Sequence, residues 1–311
     1  MKAHSVVVTN PTAEDLRRHL VGTGPCVRDP APYRLVAVEG LDAGEFLHRL
    51  CAQDVQGLAD GVVAPAAFLD AKGKVQVTCL VARLGGVHWL EVQAEQEPRL
   101  LALLERYHFT EKLRFAGRPS VCHERIDAGE PAAVVGRGVA AADAAGLRLE
   151  FTRRSVRSER RHTFAAAAVP VAPADDCAEC LRMLAGLVRV GVETEPNTLA
   201  LEADLDDHCS TTKGCYTGQE IVARIHTYGH VNRRLCLLQL GPGERIAAPV
   251  ALLEPGDGIA VGRVLHAVPV PGRTARLGLG YLPKDFQAFG TQLTLDGGGA
   301  ATVIGYEPLP A

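Results

Sequence analysis

No stretch of the chain approaches the roughly 18 uninterrupted apolar residues that a membrane-spanning helix needs, so no membrane helix is expected. The opening MKAHSVVVTNPTAEDLRRHL lacks an apolar core of about seven residues, which speaks against a secretory signal. An excess of either charge is missing as well. Lys and Arg total 33 against 36 Asp and Glu, a net charge of −3, so no basic footprint for nucleic acid or a membrane surface is present. There is no internal repeat and no P-loop. Cysteine is present but lacks regular spacing. Nine of them, an odd number, in a chain of 311 residues read as free thiols in a reducing compartment. These absences predict a cytoplasmic protein with no nucleic-acid or membrane partner. What remains is ordinary globular material, 47 % apolar and 22 % charged, long enough for about two domains of roughly 150 residues.

The pattern divides the chain into a larger region, 1–232, made of two α+β units (about 1–117 and 118–232), and a terminal unit, 233–311. In the first, YRLVAVEG reads as a strand and LDAGEFLHRL as a helix capped by Asp42. AAFLD and KVQVTCLVA flank the turn DAKG, with Val75, Val77, Cys79 and Val81 alternating onto one face. VHWLEV is a further strand. A helix over Pro98–Tyr107 carries Leu100, Leu103, Leu104 and Tyr107 on one stripe, and KLRF closes a β-α-β-β-β-α-β unit close to a ferredoxin-like split βαβ. The second unit has strands at AAVVG and LRLEF and a helix over Asp175–Val188 starting after Pro173. Its arginines 153, 154, 157, 160 and 161 read as a solvated hairpin, with a phosphate or polyglutamate contact as the alternative. Beyond 233, RLCLLQL, IAVGRVLHAV, RLGLGYL, QLTL and ATVIG alternate with Gly/Pro turns, the pattern of a small antiparallel barrel. Gly278 and Gly280 lie within a strand pattern and point to nothing specific.

Three constellations carry candidate chemistry. Cys177 and Cys180 have CxxC spacing, but redox pairs usually follow a βα turn and zinc needs two more ligands, so two small residues on an amphipathic helix is the preferred reading. Cys209, Cys215, His226 and His230 are of zinc-ligand type, yet the cysteine spacing exceeds that of a finger and Gly229 interrupts the histidines. The third is KGCYTGQEIVAR, Lys213–Arg224. Gly214 and Gly218 free the backbone for conformations closed to other residues. A helix from Gln219 with Ile221, Val222 and Ile225 inward places Cys215 just before its N-terminus, whose partial positive charge favours a thiolate, with Lys213 adding to it.

KGCYTGQE resembles the Lys-Gly-Cys-Tyr-x-Gly-Gln-Glu signature of the YgfZ family, folate-binding relatives of the glycine-cleavage T-protein, at every specified position. LEADLDDHCSTTKGCY, GLDAGEFLHRLCAQDVQGL and LDAKGKV are similar to further family segments, and the likeness spans nearly the whole chain. Asp204 stands where Asn is usual, Ala200 where Pro is common, and LVRVGVETE is shortened.

The resemblance implies a GcvT-like α+β fold: two ferredoxin-like α+β subdomains around a folate channel, plus a C-terminal antiparallel β-barrel. It implies tetrahydrofolate or another reduced folate as cofactor, and assembly or repair of iron–sulfur clusters in client enzymes as the role. Cys215 and Lys213 would act in the chemistry, supported by Gly214, Tyr216, Gly218, Gln219, Glu220 and Arg224. Cys215 would be a transient iron or sulfur ligand or a nucleophile, with no stably held metal. Glu202, Asp204 and Arg189 would contact folate. The alternative is a folate-dependent aminomethyltransferase. Those enzymes lack the cysteine motif and carry a carboxylate in Leu-Arg-x-Glu-Ala-Gly, which has no clear counterpart in LVRVGVE.

Overall fold

In this computed structural model the described residues are 12–22, 24–128, 138–167, 175–229 and 231–306. The expected strand AAVVG, Pro173 and His230 lie outside them.

Thr12 caps helix α1 (Ala13–Val21) through a capping box with Asp15. After β1 (Cys26–Arg28), the first unit runs β2 (Tyr33–Gly40), α2 (Ala43–Leu50), β3 (Val62–Leu69), β4 (Val75–Leu84), β5 (Val87–Gln93), α3 (Glu97–Tyr107) and β6 (Leu113–Arg118). This is the predicted order. Asp42 precedes α2 but makes no side-chain cap bond. Its backbone is not extended, and its carboxylate accepts from the Lys112 amide instead. The second unit adds β7 (Ser120–Ala128), β8 (Gly138–Ala142), β9 (Gly146–Arg153), β10 (Val156–Phe164), α4 (Asp176–Leu184) and α5 (Gln219–Tyr228).

Strands of both units form one ten-stranded sheet, β1-β7-β10-β9-β8-β3-β4-β5-β2-β6, with every neighbouring pair antiparallel. A split βαβ sets the strand after its first helix parallel to its first strand. Here three strands rather than two separate the helices, and with every neighbouring pair antiparallel β3 runs opposite to β2. The sheet curls until β4 is buried on both faces. Val77, Cys79 and Val81 pack on Phe46, Leu47, Leu100 and Leu104, while Leu80 and Ala82 pack on Leu147, Leu149 and Phe151.

The terminal unit is a closed barrel, β11-β14-β13-β12-β15-β16, formed by β11 (Arg233–Leu240), β12 (Val250–Leu253), β13 (Ala260–Pro269), β14 (Arg276–Pro283), β15 (Gln292–Leu295) and β16 (Ala300–Ile304). Only the four-residue β12 was not anticipated. Gly280 in β14 has a packing reason: a Cβ there would lie 2.5 Å from the Arg263 carbonyl oxygen and 2.9 Å from Leu238.

The expectation of nine free thiols is corrected at two positions. Cys26 and Cys177 form a disulfide that ties β1 to α4 across 151 residues of sequence. Cys177 is thereby removed from any CxxC chemistry, and Cys180 is buried. Protein denatured without reductant is expected to titrate seven thiols with a colorimetric disulfide reagent, and nine after reduction. Nine without reduction would remove the bond.

Candidate functional site

The segment from 197 to 218 is laid along the turn between β3 and β4. The Val75 amide donates to the Thr198 carbonyl (2.9 Å), and Lys74 Nζ donates to Asn197 Oδ1 (2.5 Å). The turn itself is held by Asp70, whose Oδ1 accepts from the Lys72 and Lys74 amides. At the far end of the segment Gly218 meets Gly73. Gly218 has φ +85°, and a Cβ on it would lie 2.6 Å from the Asp70 carbonyl oxygen; one on Gly73 would lie 2.9 Å from Ile221. Only glycine allows this approach. Gly218 then caps α5, which ends at Gly229 in the same left-handed conformation. Val222 is buried and Ile221 and Ile225 are half-buried, the inward face predicted. Gly214, by contrast, has open space around its Cα and no positive φ, so the unusual conformation expected of it is absent.

Lys213 does something the sequence did not suggest. Its side chain is buried, and Nζ donates to the carbonyl oxygens of His48, Cys51 (2.6 Å) and Gln53 (3.0 Å), where α2 ends. The Tyr216 ring lies 4.8 Å from the ammonium, and its hydroxyl donates to the Ser210 carbonyl (3.3 Å). Burial lowers the Lys213 pKa, with Cys51 and Asp54 opposing. Its charge is spent on clamping the loop to the first unit rather than on the thiol two residues away. Clamped on one side by Lys213 and on the other by Gly218, the loop displays Cys215 at the surface. Gln219 is half-buried; Glu220 and Arg224 are exposed. A cavity of about 250 Å³ opens beside Thr217, against Arg99, Arg106 and Tyr107 of α3.

The other cysteines are of a different kind. Cys51, Cys79, Cys122, Cys180, Cys209 and Cys236 are free but buried. Burial pushes every one of these thiols up, Cys51 to about 11 and Cys209 and Cys236 to about 12. They stay protonated near neutrality. The zinc-type set of Cys209, Cys215 and His226 is not brought together among the described residues; the metal-type grouping found there is Glu91, Cys122 and His162. That cluster is closed. His162 Nε2 meets Glu91 Oε1 (2.6 Å), its Nδ1 meets Ser120 Oγ (3.1 Å), and Glu91 is paired with the Arg160 guanidinium.

The solvated-hairpin reading of the arginines is corrected for three of them. Arg153, Arg154 and Arg160 are buried, pairing with Asp207 (2.7 Å), Asp204 (2.5 Å) and Glu124 (2.9 Å) respectively; Arg157 and Arg161 stay at the surface. Arg160 belongs to a network between the two units. Arg28 bonds Glu124 (2.6 Å) and Glu179 (3.2 Å), Arg182 bonds Glu179 (3.1 Å) and Glu193 (2.7 Å), and Arg189 reaches Glu179 (3.3 Å) and His266 (3.1 Å). Burial raises the Glu179 carboxyl, but Arg182, His266, Arg189 and Arg28 outweigh it and hold the group well below the usual range. The three residues expected to contact folate are apart in their bonding. Arg189 is in this network, Glu202 accepts from Arg233 (3.3 Å), and Asp204 pairs with Arg154. The cleft between the units retains about 50 Å³, lined by Tyr33, Glu91, Arg160 and Arg182 among others.

No family model matches the chain. Three curated proteins are similar to it. One is a putative chloroplastic transferase of Arabidopsis thaliana, 32 % identical over 117 residues, 38 % of this chain and 26 % of that protein. Another is a mitochondrial iron–sulfur cluster assembly factor, an IBA57 homologue of Phaeosphaeria nodorum, 30 % identical over 245 residues, 73 % of this chain and 59 % of that one. The third is an uncharacterised protein of Haemophilus influenzae, 27 % identical over 215 residues, 67 % and 71 % of the two chains. The chain thus spans about a quarter and three-fifths of the lengths of the first two. Among solved structures, the aminomethyltransferase T of the glycine cleavage system from Bartonella henselae superposes with a TM-score of 0.73 over 93 % of this chain and 88 % of that one, at 19 % identity. The α+β architecture with its terminal barrel is therefore the fold of a glycine-cleavage aminomethyltransferase.

Proposed function

We propose that the protein is an assembly or repair factor for iron–sulfur enzymes, acting through Cys215. The observation that carries this reading is the contrast among the cysteines: two are bonded, six are buried and protonated, and Cys215 alone is exposed, on a loop fixed at both ends. The similarity to an iron–sulfur cluster assembly factor supports it. Clusters are commonly held by four thiolates, so one exposed cysteine supplies one ligand, and the others come from the client or a second assembly protein. The cluster is cargo here, handed on rather than kept.

Tetrahydrofolate is the cofactor implied by the resemblance. The cleft between the α+β units does not fit it: 50 Å³ lies far below the roughly 300–1,000 Å³ of ordinary ligand sites, and the arginines lining the cleft are already paired. No step is assigned through folate. The transferase alternative rests on the fold. Its carboxylate has no free counterpart: Glu193, in the matching region, is fully buried, bonding Arg182 and the Arg189 amide (2.7 Å). A cytoplasmic location remains part of the proposal; among the described residues no helix is long and apolar enough to cross a membrane.

Deleting the gene is expected to lower the activities of several iron–sulfur enzymes together while leaving cluster-free enzymes unchanged. Normal activity across the panel, with loss confined to one-carbon metabolism, would favour the transferase. Calorimetric titration with tetrahydrofolate supplies the second measurement, and saturable heat would show that the protein binds folate.

A further inference from the structure

A cavity of about 430 Å³ lies where the turn between β9 and β10 meets the barrel strands β11 and β16, and no residue of the Cys215 loop lines it. Its polar wall is formed by Arg154, Arg234, Asp204, Asp206, Gln287 and Tyr306, with Gln287 Nε2 donating to the Leu282 carbonyl (2.8 Å). The carboxylates are already engaged. Asp204 takes Arg154 on one oxygen and Arg234 on the other (3.4 Å), and Asp206 takes Arg234 (3.1 Å). What is left over is hydrogen-bond capacity of mainly one kind. Arg154 Nε, Arg234 Nε and the Tyr306 hydroxyl are buried without a partner, while Arg154 Nη1, also unpaired, lies against Gly186, which does not line the cavity. Such groups are uncommon in folded proteins and call for an explanation. Arg154 is buried nine-tenths or more, with its guanidinium carbon 4.0 Å from the centre of the Tyr306 ring.

Arg154 (φ 48°) and Ser155 (φ 56°) are the two central residues of the hairpin turn between β9 and β10, where Arg153 pairs with Val156, and a type I′ turn requires both left-handed angles. Asp204 (φ 60°) is the third non-glycine residue in the left-handed region among those described, and it lines this cavity. Cys236, also in the wall, has its thiol pushed up to about 12 by burial and brings no negative charge.

We propose that this cavity binds a small oxyanion, a carboxylate- or phosphate-bearing molecule, through Arg154, Arg234 and the Tyr306 hydroxyl. Two unpaired guanidinium nitrogens, Arg154 Nε and Arg234 Nε, and one hydroxyl ask for acceptors, and guanidinium N–H groups suit the oxygens of a carboxylate or phosphate. The volume falls within the ordinary range for small-molecule sites.

The test is calorimetric titration of the full-length protein at low salt with pyrophosphate and, separately, citrate; the preferred probe tells phosphate from carboxylate. Saturable one-to-one binding of at least one is expected. Two variants decide whether it occurs here. Arg234→Gln alters a half-exposed side chain and should weaken binding about tenfold or more, the worth of a charged hydrogen bond. Tyr306→Phe removes a hydroxyl that has no partner, so it should leave the melting temperature unchanged or raise it while also weakening binding about tenfold. No saturable binding of either probe overturns the proposal, as does binding that both variants leave intact. Neither result bears on the Cys215 reading, which uses none of these residues.

Discussion

Replacing Arg160 by methionine should cost about 3–5 kcal/mol of stability at pH 8, the usual penalty for taking one partner out of a buried ion pair. The reason is what would be left behind. Glu91 and Glu124 are both buried; Glu124 would keep Arg28, but Glu91 would keep only the ring of His162. The lost cation also stacks 3.6 Å from the Tyr33 ring, so packing adds to the loss. The pH dependence follows from the directions of the shifts. In the native protein burial raises the Glu91 carboxyl, and Arg160 and His162 outweigh that, so its folded pKa is lowered. Its contribution to stability is therefore present above the unfolded carboxylate value, near 4.3, and is lost as pH falls through the folded one. Without Arg160 the burial effect dominates, the folded pKa rises, and the variant is penalised most where the carboxyl must stay charged. The gap between the two proteins should thus narrow from pH 8 to pH 5. Denaturant unfolding at both pH values measures it; a loss under about 1 kcal/mol at pH 8 would mean that the network contributes little beyond filling space.

Cys215→Ser should abolish rescue of a deletion strain while changing stability by less than about 0.5 kcal/mol, as for ordinary surface substitutions. The side chain is exposed, and nothing in the fold rests on it. Serine nearly preserves the volume but exchanges a soft, ionisable ligand for a hydroxyl that remains protonated. A paired measurement guards against trivial explanations. In competitive alkylation of the folded protein Cys215 should label far ahead of Cys236, which is buried in β11 with a raised pKa. Full rescue by the serine variant at normal protein level would take the thiol out of the mechanism and leave the transferase reading standing. Lys213→Ala should also impair rescue, but by loosening the loop, so its signature is a lowered melting temperature as well as lost activity.

Much of this was legible in the sequence, for reasons that differ by element. α2, α3 and α5 and the barrel strands announce themselves because their periodicity is local. Gly218 was legible because a glycine before a helical pattern has few other uses. Lys213 was misread as an electrostatic aid because its three acceptors lie 160–165 residues earlier, and no local pattern points to them. The arginines of β9 and β10 were misread for a related reason. β10 alternates correctly, with Val156, Ser158, Arg160 and His162 inward and Arg157, Glu159 and Arg161 outward, but both faces carry charge. Hydrophobic alternation cannot mark a core face built from ion pairs, whose Glu91, Glu124, Asp204 and Asp207 partners come from other elements. The disulfide was invisible because Cys26 and Cys177 belong to elements that meet only in the folded chain.

The clamp at Lys213 bears on what counts as a movable part. KGCYTGQEIVAR can be copied as a string, yet the position of its thiol is written elsewhere: in the carbonyls at 48, 51 and 53, and in the turn at 70–73 against which Gly218 closes. A synthetic peptide of those twelve residues, or a graft onto another scaffold, would carry the cysteine without its address. Conversely, a one-residue insertion between α2 and β3 leaves the motif untouched in sequence and displaces it in space. The portable unit is three distant segments and the geometry they share.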